Sequence, residues 1–182
     1  MKLHLGCWHR NIPGFINVDL CDFEHIDYKS SIDDLSMFDD SSVELIYSSR
    51  SLEYFDREEM DHALKEYHRV LKIGGTLRVA VPDFEALLQV YNENKNLDSI
   101  LGPLYGRMDI ETTLGRKTIY HRTTYDFSSL KSVLENASFH SIRRYEWRDT
   151  IHKDFDDHSQ AHFPHMDKEN GKLLSLNVEG NK

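Results

Sequence analysis

Apolar and polar positions recur along this chain at two different spacings. Residues 2–6 (Lys-Leu-His-Leu-Gly) and 15–19 (Phe-Ile-Asn-Val-Asp) alternate in the way a half-buried strand does. Pro13-Gly14 separates them. A third strand is expected at 43–47, after a polar stretch rich in Asp and Ser. The spacing then lengthens. Met60, Ala63, Leu64, Tyr67 and Leu71 fall on one helical face, and Asp56 with Glu59 three positions on makes a capping box at its start. Gly74-Gly75 is expected to end that helix. Residues 76–81 read as a buried strand closed by Pro82, and Asp83 as the cap of a helix with Phe84, Leu87, Leu88 and Tyr91 inward.

Residues 92–120 carry three glycines and weak periodicity, which predicts an irregular functional loop or lid. Asp126 opens another helix, with Leu130, Val133 and Leu134 facing in. Residues 141–147 and 173–179 are expected as antiparallel neighbours at the sheet edge, with 152–167 a loop between them. Strands alternating with helices predict an α/β fold, a Rossmann-like doubly wound sheet that is mostly parallel with an antiparallel edge strand. Gly6 and Asp19 stand so close in the chain that the first crossover helix must shrink to a turn.

Composition narrows the function classes. The 182 residues suit a single domain over 1–182. The net charge of −9 repels phosphate backbones and anionic membranes, so neither nucleic acid nor membrane is an expected partner. The same balance points weakly to a neutral or cationic small molecule. Two cysteines, Cys7 and Cys21, are too few for a disulfide framework, and the first residues lack the apolar core of a secretion signal. A cytoplasmic location is expected.

An open α/β sheet binds ligands beyond the carboxyl ends of its strands. Those ends here read Leu5-Gly6-Cys7-Trp8, then Asn17-Val18-Asp19, then Ser48-Ser49-Arg50. Taken singly, each has an ordinary structural explanation: a turn, a cap, a local hydrogen bond. Their order along the chain resembles the class I S-adenosylmethionine-dependent methyltransferases, and a small bacterial subfamily often encoded near glycan-modifying enzymes. Leu52-Glu53-Tyr54-Phe55, Arg69-Val70-Leu71-Lys72-Ile73-Gly74-Gly75, Val81-Pro82-Asp83 and Ser175-Leu176-Asn177-Val178-Glu179 extend the resemblance over nearly the whole chain.

The resemblance implies S-adenosyl-L-methionine as cofactor. Gly6 and Cys7 would lie against its methionine and ribose portions, Asp19 would hold the ribose hydroxyls, and Leu20 would flank the adenine. Ile32 and Asp33 would approach the adenine edge, and Ser48, Ser49 and Arg50 the methionine end. Two positions depart from the family: Trp8 replaces a glycine, and Arg50 replaces a histidine.

Methyl transfer to a hydroxyl needs a base, and histidine titrates in the right range. His121, His158 and His162 are the candidate catalytic residues; Tyr105, Arg107 and Tyr125 are candidates for the acceptor pocket. A small molecule or saccharide is the acceptor that the resemblance implies. Eleven histidines also permit a metal reading, on His152, His158, His162 and His165 with Asp156, Asp157 and Asp167, or on Cys7, His9, Cys21 and His25. Solvated loop histidines explain both sets more simply, so no metal is expected. Two alternatives stand beside the methyltransferase: a degraded relative that only binds, with Trp8 closing the cofactor site, and a His/Asp metal-dependent hydrolase.

Overall fold

The computed structural model describes residues 1–112 and 115–182. Seven strands form the main sheet, in the order β3-β2-β1-β4-β5-β11-β8. They are β1 (Lys2–Leu5), β2 (Ile16–Asp19), β3 (Tyr28–Lys29), β4 (Val43–Ser49), β5 (Leu71–Pro82), β8 (His140–Arg144) and β11 (Ser175–Asn181), while β9 (His162–Phe163) and β10 (Lys172–Leu173) pair with each other outside it. The first five run parallel, while β11 is antiparallel to both β5 and β8. The antiparallel strand belongs to the edge pair, inserted between β5 and β8. Strand order reverses between β1 and β4, which places the ligand crevice there. The link from β1 to β2 contains only turns, as the short spacing requires.

Alternation along the strands assigns two faces. Leu3, Leu5, Ile46, Leu77, Val79, Leu176 and Val178 share one core, closed by α1 (Arg57–Val70) and α4 (Phe127–Asn136). Both helices begin as expected, with Asp56 and Asp126 accepting backbone N–H groups in capping boxes. On the other face, Tyr47 and Leu45 pack with Ile12 and Phe15, and α2 (Phe84–Asn94) packs with α3 (Asp98–Tyr105).

Three expectations need correction. Helix α1 does not run to the glycines: Val70 is its last residue, and Leu71 is already extended. Gly74, at φ +77°, sits inside β5, where the pairing with β4 shifts register; a Cβ on Gly75 would come within 2.8 Å of the Lys72 carbonyl. Helix α2 is turned relative to its expected face. Ala86, Leu87 and Val90 are buried, while Leu88 and Tyr91 are exposed. Residues 92–120 are not irregular: they form α3 and a hairpin of β6 (Met108–Thr112) and β7 (Gly115–Ile119). Positions 113 and 114 of that expectation lie outside the described residues.

Candidate functional site

Gly6, at φ +64°, turns the chain away as β1 ends, and its N–H still bonds to the Val18 carbonyl at 2.9 Å. A Cβ here would fall 2.1 Å from Ser51 Oγ, so the missing side chain admits the loop that follows β4. Two residues on, Trp8 takes φ +48°. A tryptophan thus occupies a left-handed conformation that costs an ordinary residue about 1–2 kcal/mol. Its indole meets His9 edge-on, with ring centroids 4.3 Å apart. The conformation is held by Asp19 at the end of β2. One carboxylate oxygen accepts the Trp8 N–H at 2.7 Å, and the other accepts the Cys21 N–H at 2.8 Å.

The third strand end is also sharply turned. Arg50 N–H donates to the Ala80 carbonyl at 2.8 Å, extending the β4 ladder one residue beyond Ser49, and then φ swings to +56°. Burial pulls the Arg50 guanidinium below its ordinary pKa, with Glu53 opposing. Both Arg50 Nε and Ser49 Oγ are buried without a hydrogen-bond partner among the described residues.

Two cavities adjoin at this point. The first, about 550 Å³, is lined by Asp19, Leu20, Ile32 and Asp33, and its outer wall includes Met108 and Ile110 of the hairpin. The second, about 690 Å³, is lined by Ser49, Arg107, His121, His158 and His162 among others. Gly6, Trp8, Arg50 and Tyr54 border both. Volumes of this size are those of small-molecule sites.

Several expected site residues stand elsewhere. Cys7 and Ser48 are buried beneath the strand ends and line neither cavity; Tyr105 is exposed, and Tyr125 is buried under the Arg57 guanidinium. Cys7 and Cys21 are free thiols whose burial, with Asp19 near, pushes their pKa up. Neither is a candidate nucleophile.

Glu53 is the functional candidate that sequence reasoning missed. Its side chain is fully buried; desolvation raises its pKa to about 7 even with Arg50 close by. His121 Nε2 lies 3.6 Å from its carboxylate, and the His121 pKa is lowered to about 4, by burial first and then by Arg50. Gly106 makes room for that ring, since a Cβ would fall 1.9 Å from Nε2. An acid among the apolar residues Leu52, Tyr54 and Phe55 was the available signal.

The histidine-rich segment is no solvated loop. His152 is wholly buried and stacks on Tyr47, with centroids 3.8 Å apart, and His162 is buried with Nδ1 2.8 Å from the Gln160 carbonyl. Tyr47 Oη donates to Asp157 Oδ2, which ties the segment to the middle of β4. His158 remains exposed on the cavity wall. The protein packed around it, Arg50 and Arg10 lower its pKa. Among the described residues, no three His, Cys, Asp or Glu side chains are grouped to hold a metal ion, and no helix is long and apolar enough to cross a membrane.

The comparisons agree with this architecture. A family model described as "Methyltransferase domain" matches residues 15–79, the stretch from β2 into β5. Among solved structures, an S-adenosylmethionine-dependent methyltransferase from Archaeoglobus fulgidus is similar at TM-score 0.57 and 14% identity, over 100% of this chain and 85% of that one. A possible histamine N-methyltransferase from Thermotoga maritima is similar at 0.55 and 16%, over 100% and 81%. The Burkholderia thailandensis 1,6-didemethyltoxoflavin-N1-methyltransferase, solved with 1,6-didemethyltoxoflavin and S-adenosylhomocysteine, is similar at 0.53 and 12%, over 100% and 70%. No curated sequence matches significantly. The chain has the Rossmann-like methyltransferase fold.

Proposed function

We propose that this protein binds S-adenosyl-L-methionine and transfers its methyl group to a small molecule or saccharide. One observation carries the proposal: two cavities meet at the strand ends of a methyltransferase fold, one beside the acid closing β2, the other lined by histidines. The residues suit the cofactor. Asp19 keeps unshared lone pairs on both oxygens for ribose hydroxyls, beyond the two N–H groups it already accepts. Leu20 and Ile32 offer apolar contact to a base, with Asp33 at its edge. Ser49 Oγ and Arg50 Nε, orphaned where the cavities join, are suited to the polar methionine end. Gly6 and Trp8 border that junction, and Cys7 and Ser48 support it from behind.

When bound, the cofactor supplies a methyl group activated on a sulfonium. The protein's task is then to hold the acceptor in line and to receive its proton. Proximity of this kind supplies a large share of the acceleration in two-substrate reactions. His158 is the proposed base. It faces the second cavity, and with its pKa lowered to about 4 the imidazole is neutral at pH 7 and has a lone pair for the proton. His121, on the wall itself, is paired with the buried Glu53 behind it, and His162 shapes the far side through its Gln160 contact. The reaction takes place in the cytoplasm in this reading, and the resemblance to a subfamily often encoded near glycan-modifying enzymes makes saccharides the first acceptors to try.

Calorimetric titration with S-adenosylhomocysteine tests the proposal. One-to-one binding in the micromolar range supports it. A cooperatively folded protein that does not bind would overturn it and favour a chain that keeps the fold without the activity.

A further inference from the structure

The chain carries a net charge of −9, yet the second cavity has the opposite character. Arg10, Arg50 and Arg107 all line it. Among the described residues only two acids do, Asp156 and Asp157, and both are already engaged. Asp157 accepts the Tyr47 hydroxyl on one oxygen and the Ser159 N–H, at 2.7 Å, on the other. Asp156 Oδ1 is paired with Lys168 Nζ at 2.9 Å. The cationic groups keep donors to spare. Arg10 spends its Nε on the Asp156 carbonyl at 2.9 Å, and Arg107 holds Asp109 only through two long contacts, at 3.3 and 3.5 Å, on a carboxylate that Arg116 binds more closely at 2.8 Å. Arg50 Nε is buried with no hydrogen-bond partner among the described residues.

A neutral sugar would leave these guanidinium groups desolvated by the ligand and unmatched, whereas planar N–H forks fit a carboxylate or phosphate in bidentate fashion. The methionine carboxylate of the cofactor accounts for one of the three, Arg50. We propose that the acceptor carries an acidic group, phosphate or carboxylate, seated on the guanidinium groups of Arg10 and Arg107. His158 then faces the acceptor's hydroxyl. This deepens the methyltransferase reading and rests on it.

The test titrates protein saturated with S-adenosylhomocysteine, so that the cofactor's carboxylate is already in place. Glucose 1-phosphate, glucuronate and glucose are the probes. Binding of either charged probe at least tenfold tighter than glucose is expected, and the tighter of the two identifies the acidic group. Arg10→Gln with Arg107→Gln should remove that preference while changing S-adenosylhomocysteine affinity less than threefold. Glucose binding as tightly as the charged probes overturns the inference. So does an anion preference that survives the double substitution, or the absence of binding by every probe to the loaded protein. If S-adenosylhomocysteine itself fails to bind, the methyltransferase reading falls first and this inference falls with it.

Discussion

Asp19 Oδ2 accepts the backbone N–H of Trp8 at 2.7 Å, joining the end of one strand to the loop leaving its neighbour. The acid proposed to hold a ribose therefore also shapes the loop against which the cofactor rests. Asp19→Ala removes two N–H bonds to a charged acceptor, each contributing about 1.5–3 kcal/mol. S-adenosylhomocysteine affinity is expected to fall at least tenfold and the melting temperature by several degrees. Calorimetry and thermal melts check both. An unchanged affinity would remove Asp19 from the cofactor site.

Trp8 sits where glycine belongs by its backbone angle. Trp8→Gly relieves a left-handed strain of about 1–2 kcal/mol and opens the border between the cavities. Equal or tighter S-adenosylhomocysteine binding is expected. A tenfold loss would mean that the indole lies flat on the ligand and has been recruited to it.

Acid should destabilise the fold well before the carboxylates titrate. Burial lowers the pKa of His4 and of His152 to about 4. Between about 4 and 6.5 the unfolded chain binds protons at these positions and the folded chain does not, so stability is lost as pH falls through that window. Glu53 works in the opposite direction, because its raised pKa makes stability decline as pH climbs from about 4.5 to 7. Urea midpoints should therefore be lower at pH 5 than at pH 7, and Glu53→Gln should widen the gap. Equal midpoints in Glu53→Gln, where the opposing carboxyl is gone, would show that the histidines are not buried in neutral form.

The strands at the crevice were legible because their apolar residues alternate and their ends carry distinctive residues, Gly6, Asp19 and Arg50. Helix α1 was legible at its start for a local reason, the Asp56 and Glu59 pair, but not at its end. Gly74-Gly75 is a signal for positive φ, and a bulge inside β5 uses it as well as a helix terminus would. For α2 two apolar stripes compete, and the choice of Ala86, Leu87 and Val90 over Leu88 and Tyr91 is made by α3, whose presence Pro103 disguised. The burial of Glu53 and of His152 escaped notice because it depends on neighbours distant in the chain, such as His121 and Tyr47.

The junction of α1 and β5 has no connecting residue, since Val70 is the last helical position and Leu71 the first extended one. The chain on either side is pinned, with Arg69 bonded to the carbonyls of Leu35 and Phe38 and Gly74 N–H to the carbonyl of Lys182. An inserted residue would have nowhere to go without slipping the pairing of β5 with β4 and β11. Variation in length must then be absorbed where elements are joined by slack, and much of that slack lies around α3 and the hairpin, in the walls of the two cavities. A lineage built on this frame would be free to change its acceptor by altering those walls, while the stretch from Leu52 to Pro82 stayed constant in length.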